Sequence, residues 1–121
     1  MAGYRELVAW QKAMDLVERV YIVTGDWPPD ERFGLIQQVR RAAVSMPANI
    51  AEGHGRTGSK EYLRFLSLAT GSLHEVETHL LIAERVRLLH PDLCAALLEQ
   101  TAEVGRILGG LIRRLRETSN A

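Results

Sequence analysis

The sequence predicts an all-α fold, an up-down-up-down antiparallel four-helix bundle, and three observations lead there. Apolar residues recur at alternating steps of three and four along four separate segments, which is the period of one face of a helix. The segments are separated by Asp26-Trp27-Pro28-Pro29, by a glycine-dense stretch from Gly53 to Gly58, and by His90-Pro91-Asp92. Connections this short make neighbouring helices antiparallel. No segment reads convincingly as a strand. At 121 residues the chain has the size of one domain, spanning 1–121, with enough length to bury a core without staples.

The first helix is expected from about Glu6 to Thr24. Its predicted seam is Leu7, Trp10, Met14, Val17, Tyr21 and Thr24, spaced 3, 4, 3, 4, 3. Gly25 suits a left-handed C-terminal cap, and the two prolines after Trp27 force a turn. The second helix is expected to start near Pro29, where proline is tolerated and Asp30 and Glu31 suit the helix dipole. Its core line is Phe33, Ile36, Val39, Ala43, Met46 and Ile50. Beside it runs a polar line of Gln38, Arg41, Ser45, Asn49 and Glu52.

Pro47 stands inside this helix. It lacks an N–H and clashes with the carbonyl of Ala43, a cost of about 3 kcal/mol in an ordinary helix. The expectation is a kink near Pro47, with early termination the alternative. Asn49 is placed to satisfy the carbonyl that Pro47 frees, and Gly53 reads as the stop.

The third helix is expected from about Lys60 to Leu88, with Ser59 as N-cap. Tyr62, Leu66, Ala69, Leu73, Val76, Leu80 and Ala83 repeat at 4, 3, 4, 3, 4, 3, a sustained heptad. Pro91 opens the fourth helix, which runs to about Glu117 before a fraying tail. Leu97, Thr101, Val104, Leu108, Leu111 and Leu115 form its seam. Gly105, Gly109 and Gly110 each cost about 1 kcal/mol against alanine in a helix interior. They either admit a close neighbour or loosen the helix.

Composition excludes several classes. Fifteen basic and fifteen acidic residues cancel, so bulk charge draws the chain to neither nucleic acid nor membrane. No run of eighteen apolar residues exists, so no membrane span is expected. The start Met1-Ala2-Gly3-Tyr4 has no secretory pattern, and a cytoplasmic protein is expected. The single cysteine, Cys94, reads as a small buried hydrophobe.

No catalytic constellation is visible, and neither enzyme activity nor a cofactor is expected. Gly53-His54-Gly55-Arg56-Thr57-Gly58-Ser59-Lys60 resembles a phosphate-binding P-loop, but its last two residues are swapped and a helix precedes it where a strand is needed. His74, Glu75, Glu77 and His79 lack the Glu-x-x-His spacing of a di-metal bundle, and no second helix repeats them. A polar layer is the better reading, with Arg41 near His74 and Glu77, Ser45 near Thr70 and Asn49 near Ser67. Such layers specify register more than stability.

Two surplus features point outward. Leu63, Phe65, Leu68, Leu81, Ile82, Leu93, Leu98, Ile107 and Ile112 lie off the seams and predict self-association. Charge is also uneven: residues 70–103 carry net −4 and residues 104–121 net +3. Thirteen of the fifteen bases are arginine, the residue suited to bidentate phosphate contacts. Arg56, Lys60 and Arg64 follow one another at steps of four, and Arg113, Arg114 and Arg116 end the fourth helix. With Arg40 and Arg41 these are the candidate nucleic-acid-binding residues. Oligomerisation would multiply any such patch. The competing reading is a structural or protein-interaction scaffold without nucleic-acid affinity.

Leu7-Val8-Ala9-Trp10-Gln11-Lys12-Ala13, Trp27-Pro28, Gln38-Val39-Arg40-Arg41-Ala42, Ser45 through Gly53, and Ala69-Thr70-Gly71-Ser72-Leu73-His74-Glu75 share one pattern. It resembles the bacterial four-helix-bundle family of proteins encoded in intervening sequences of 23S rRNA genes. That family is related to the accessory variability determinant of diversity-generating retroelements. The resemblance implies a non-enzymatic bundle assembled as a ring-like homopentamer. For the retroelement protein it also implies binding of RNA or DNA and of a reverse transcriptase through a strongly basic surface, from which this neutral chain departs.

Overall fold

The computed structural model of the protein describes residues 3–120. It has four α-helices: α1 (Val8–Thr24), α2 (Gln37–His54), α3 (Ser59–Arg85) and α4 (Pro91–Asn120). The described residues contain no strand. Each helix packs on its neighbours in the chain, and α4 returns to α1 to close an antiparallel bundle.

The buried stripe of α1 is Ala9, Ala13, Leu16, Val20, Val23 and Thr24; Thr24 is buried as predicted, and the rest of the stripe is one residue out of phase with the predicted seam. Met14 and Tyr21 are 41% and 43% exposed, while Leu7, Trp10 and Val17 pack on the flank of the core. Both stripes have the same period, so periodicity alone does not choose between them. The stripe with two alanines lets α1 sit close to its neighbours. Gly25 ends the helix in right-handed conformation (φ −61°, ψ −22°), not as the expected left-handed cap. Buried Trp27 closes this end of the bundle.

Helical backbone does begin at Pro29, but irregularly. A 3₁₀ turn (Pro29–Glu31) leads into a wider π turn (Arg32–Ile36), and regular α-helix starts only at Gln37. Gly34 holds the break, at φ −107° and ψ −115°. Ile36, Val39, Ala43, Met46 and Ile50 are buried as predicted, and the side chain of Phe33 lies outside the described residues. α2 is unbroken through Pro47, which is buried, so the helix does not terminate there and the irregular backbone lies upstream at Gly34.

Gly53 does not stop α2 either, since the helix runs on to His54. A Cβ at Gly53 would lie 2.6 Å from the Cβ of Phe65. Gly53 therefore sets how closely α2 and α3 approach. The turn falls at Gly58, whose φ of +90° suits glycine, and Gly58 rather than Ser59 is the N-cap of α3.

α3 buries Leu66, Ala69, Leu73, Val76, Leu80 and Ala83 and ends at Arg85, short of Leu88. Pro91 opens α4, where the Asp92 N–H donates to His90 Nδ1 at 3.1 Å. α4 continues past Glu117 to Asn120, and Ala121 lies outside the described residues. Cys94, Leu97, Thr101, Val104 and Leu108 are buried in the core. Burial pushes the Cys94 thiol pKa up.

The polar layer between α2 and α3 exists in a different register. Ser45 and Ser72 hydroxyls meet at 2.8 Å, and Asn49 Nδ2 lies 2.9 Å from both the hydroxyl and the carbonyl of Ser45. Asn49 thus serves Ser45, not the carbonyl of Ala43. Arg41 shares a groove with Glu75, whereas Glu77 faces α4, its carboxylate 3.2 Å from the Thr101 hydroxyl, which also lies 2.7 Å from the Leu98 carbonyl. The Thr70 hydroxyl bonds back to Leu66 within its own helix. α3 is rotated so that Ser72 and Glu75 face α2 while Thr70 and Glu77 face α4.

Candidate nucleic-acid interface

The antiparallel topology brings three stretches to one end of the bundle: the start of α1, the α2–α3 turn and the end of α4. Residues 4–8, 52–64 and 113–118 carry seven basic and four acidic side chains, net +3. The opposite end, residues 24–36 and 84–95, carries three basic and five acidic, net −2. A neutral chain thus becomes a molecule with one positive end.

The α2–α3 turn is braced on Phe65. The Arg56 and Arg64 guanidinium carbons lie 5.1 and 4.5 Å from the centroid of its ring, within cation–π range. Phe65 is buried beneath them. Arg56 pairs with Glu52 at 3.7 Å and Arg64 with Glu61 at 3.1 Å, all four side chains being well exposed. The hydrogen bond from Arg64 holds the Glu61 carboxyl below its usual pKa. Exposed pairs of this kind contribute little to stability. They hold two guanidiniums side by side while leaving each open to exchange its carboxylate for another anion. Lys60 is exposed on the first turn of α3.

Arg113 and Arg116 line a groove between α3 and α4 with Leu63, Ser67 and Thr70. Arg114 is exposed on the same last turns. Six of the predicted site residues are therefore gathered at one end.

Arg40 and Arg41 are not. They lie roughly 20 Å along α2 from the turn, at 1.5 Å per residue, and point to different sides. Arg40 Nε donates to Thr24 Oγ1 at 2.8 Å, Nη2 to the Tyr21 carbonyl at 3.4 Å, and its guanidinium stacks 4.5 Å from the Tyr21 ring centroid. Thr24 in turn donates to the Val20 carbonyl at 2.8 Å. Arg40 is a clamp between α1 and α2. Arg41 is exposed in the α2–α3 groove with Gln37, Gln38 and Glu75.

Sequence reasoning missed the Phe65 platform and the close approach at Gly53. Gly53 falls on the core line of Met46 and Ile50 at a step of three, and that was the available signal. Among the described residues, no group of three His, Cys, Asp or Glu side chains could hold a metal ion, and no helix is long and apolar enough to cross a membrane.

Fold and site together define an antiparallel four-helix bundle with one arginine-braced end. Residues 5–110 match the 23S rRNA-intervening sequence protein family, and the chain belongs to that family. Among solved structures, a protein of unknown function of the S23 ribosomal protein family from Bacteroides thetaiotaomicron VPI-5482 is similar, with a TM-score of 0.78 and 19% identity. The match covers 87% of this chain and 98% of that one, and at this identity it concerns the fold. Comparison with curated proteins finds no match.

Proposed function

We propose that the protein is a non-enzymatic, self-assembling accessory protein that holds structured RNA by its phosphates at the α2–α3 end of the bundle. The observation that carries this reading is the convergence of Arg56, Lys60, Arg64, Arg113, Arg114 and Arg116 on one end of a chain whose net charge is zero. Arginine forks match phosphate oxygens in bidentate fashion. Such contacts position a nucleic acid without reading its sequence.

Self-assembly follows from the apolar side chains left outside the core. Met14, Tyr21 and Val44 are exposed on α1 and α2, Leu68, Leu81 and Ile82 on α3, and Val86 at its C-terminal cap. Two separate apolar surfaces suit the head-to-tail contacts of a ring, and the family resemblance implies five copies. A ring would align several basic ends and multiply a modest charge per subunit. A reverse transcriptase is a further partner that the resemblance implies.

The test is a salt titration of binding to a labelled structured RNA. Phosphate contacts predict that log K falls linearly with log salt, by about 0.7–0.9 per contact. Absence of binding at about 50 mM salt would leave the protein as a scaffold. Light scattering is expected to report a multiple of 13.5 kDa.

A further inference from the structure

We propose that the groove between α3 and α4 takes one unstacked nucleotide of single-stranded RNA, its phosphate on Arg113 and Arg116 and its base against Leu63 and Ile112. The proposal rests on the RNA reading above and names the form of RNA that one subsite accepts.

The groove has a volume of about 340 Å³, and its walls are of two kinds. Leu63 and Ile112 are apolar and half-buried. Arg113 and Arg116 are exposed, and neither has an ion-pair partner among the described residues, unlike Arg56 and Arg64. The Thr70 hydroxyl spends its proton on the Leu66 carbonyl at 3.0 Å, so it offers the groove only acceptor lone pairs. A duplex presents phosphates with its bases stacked away, and it would leave the apolar wall wet. An unstacked nucleotide supplies both an anion and a flat apolar surface.

Gly109 is the second observation. Of the three glycines inside α4, Gly105 is explained by packing, since a Cβ there would lie 3.2 Å from Leu73 Cδ2. A Cβ at Gly109 would meet only the Arg113 guanidinium, at 3.6 Å. No neighbour in the bundle needs the space, and the same holds at Gly110, where a Cβ would meet only the Arg113 and Arg114 guanidiniums at 3.8 and 3.9 Å; of the two, Gly109 lines the groove. The missing side chain leaves the floor of the groove open beneath Arg113.

The test compares anisotropy-measured affinities for single-stranded and duplex RNA of equal length at one salt concentration. Gly109→Leu fills the groove and keeps every charge. It is expected to weaken single-strand binding about tenfold, leave duplex binding unchanged and raise the melting temperature. Ile112→Ser, which removes the apolar wall, is expected to act in the same direction on the single strand and serves if the leucine variant folds poorly. Arg113→Gln with Arg116→Gln, which releases the one phosphate they share, is expected to lower the salt slope for the single strand by about 0.7. Equal losses on both RNAs, or no loss in either groove variant, overturn the proposal. A changed particle mass in Gly109→Leu also overturns it, by assigning the groove to contact between subunits. Native protein that binds duplex alone overturns the groove while leaving the phosphate-gripping end; native protein that binds neither RNA overturns both.

Discussion

Arg40 and the Arg56–Arg64 pair are chemically identical groups wired in opposite ways. Arg40 commits its donors to Thr24 and Tyr21 and its flat face to the Tyr21 ring. Arg56 and Arg64 rest on Phe65 and touch only exposed carboxylates. The first arrangement joins two helices and leaves little for a ligand. The second fixes two positive charges in place while their partners remain exchangeable. Counting arginines therefore says less about function than asking what each guanidinium already touches.

The comparison can be broken from either side. Reversing Arg56 and Arg64 to glutamate is expected to lower RNA affinity at least about 100-fold at about 100 mM salt, with little change in the melt. Next in size is Gly53→Ala. Its new Cβ presses on the Cβ of Phe65, so the helices must separate at about 1–3 kcal/mol, and the arginine platform shifts with them. Chemical denaturation measures the first effect and RNA affinity the second. Arg40→Ala is expected to cost about 1–2 kcal/mol of stability through lost hydrogen bonds and stacking, with RNA affinity unchanged. A variant that lost RNA binding without losing stability would place Arg40 with the other two.

Two smaller effects sharpen the picture at the same end. The Tyr62 hydroxyl is buried without a partner among the described residues, and burial raises its pKa. Tyr62→Phe removes a polar group that gains nothing from burial and is expected to leave stability unchanged or raised by up to about 1 kcal/mol. Glu61 has a depressed pKa in the folded protein because Arg64 donates to it. Whatever its pairing contributes is present above the ordinary carboxylate range and lost as pH falls through the folded value. In Arg64→Ala the Glu61 titration midpoint, followed by NMR, is expected to move back up.

The fold was legible because four long segments carried an unambiguous helical period, and helix α3 kept its predicted seam from Leu66 to Ala83. Helix α1 shows the limit. Ala9-x₃-Ala13 and Trp10-x₃-Met14 are equally periodic, and only packing against α2 and α4 decides which faces in. Pro47 and Gly34 show a related limit: of the two readings at Pro47, early termination is excluded because the helix continues through it, while the non-helical backbone at Gly34 had no signal in the apolar period. The basic end was half legible. The runs Arg56-Lys60-Arg64 and Arg113-Arg114-Arg116 are plain in the sequence, but antiparallel topology is what brings them together. The separate fate of Arg40 depends on Tyr21 and Thr24, sixteen to nineteen residues away.

A footprint of bound RNA tests the functional reading most directly. Photo-crosslinking or hydrogen exchange on the native protein with structured RNA is expected to mark residues 55–66 and 109–117 and to leave residues 19–44 unchanged. Marks centred on Arg40 and Arg41, or no change anywhere at low salt, would contradict it.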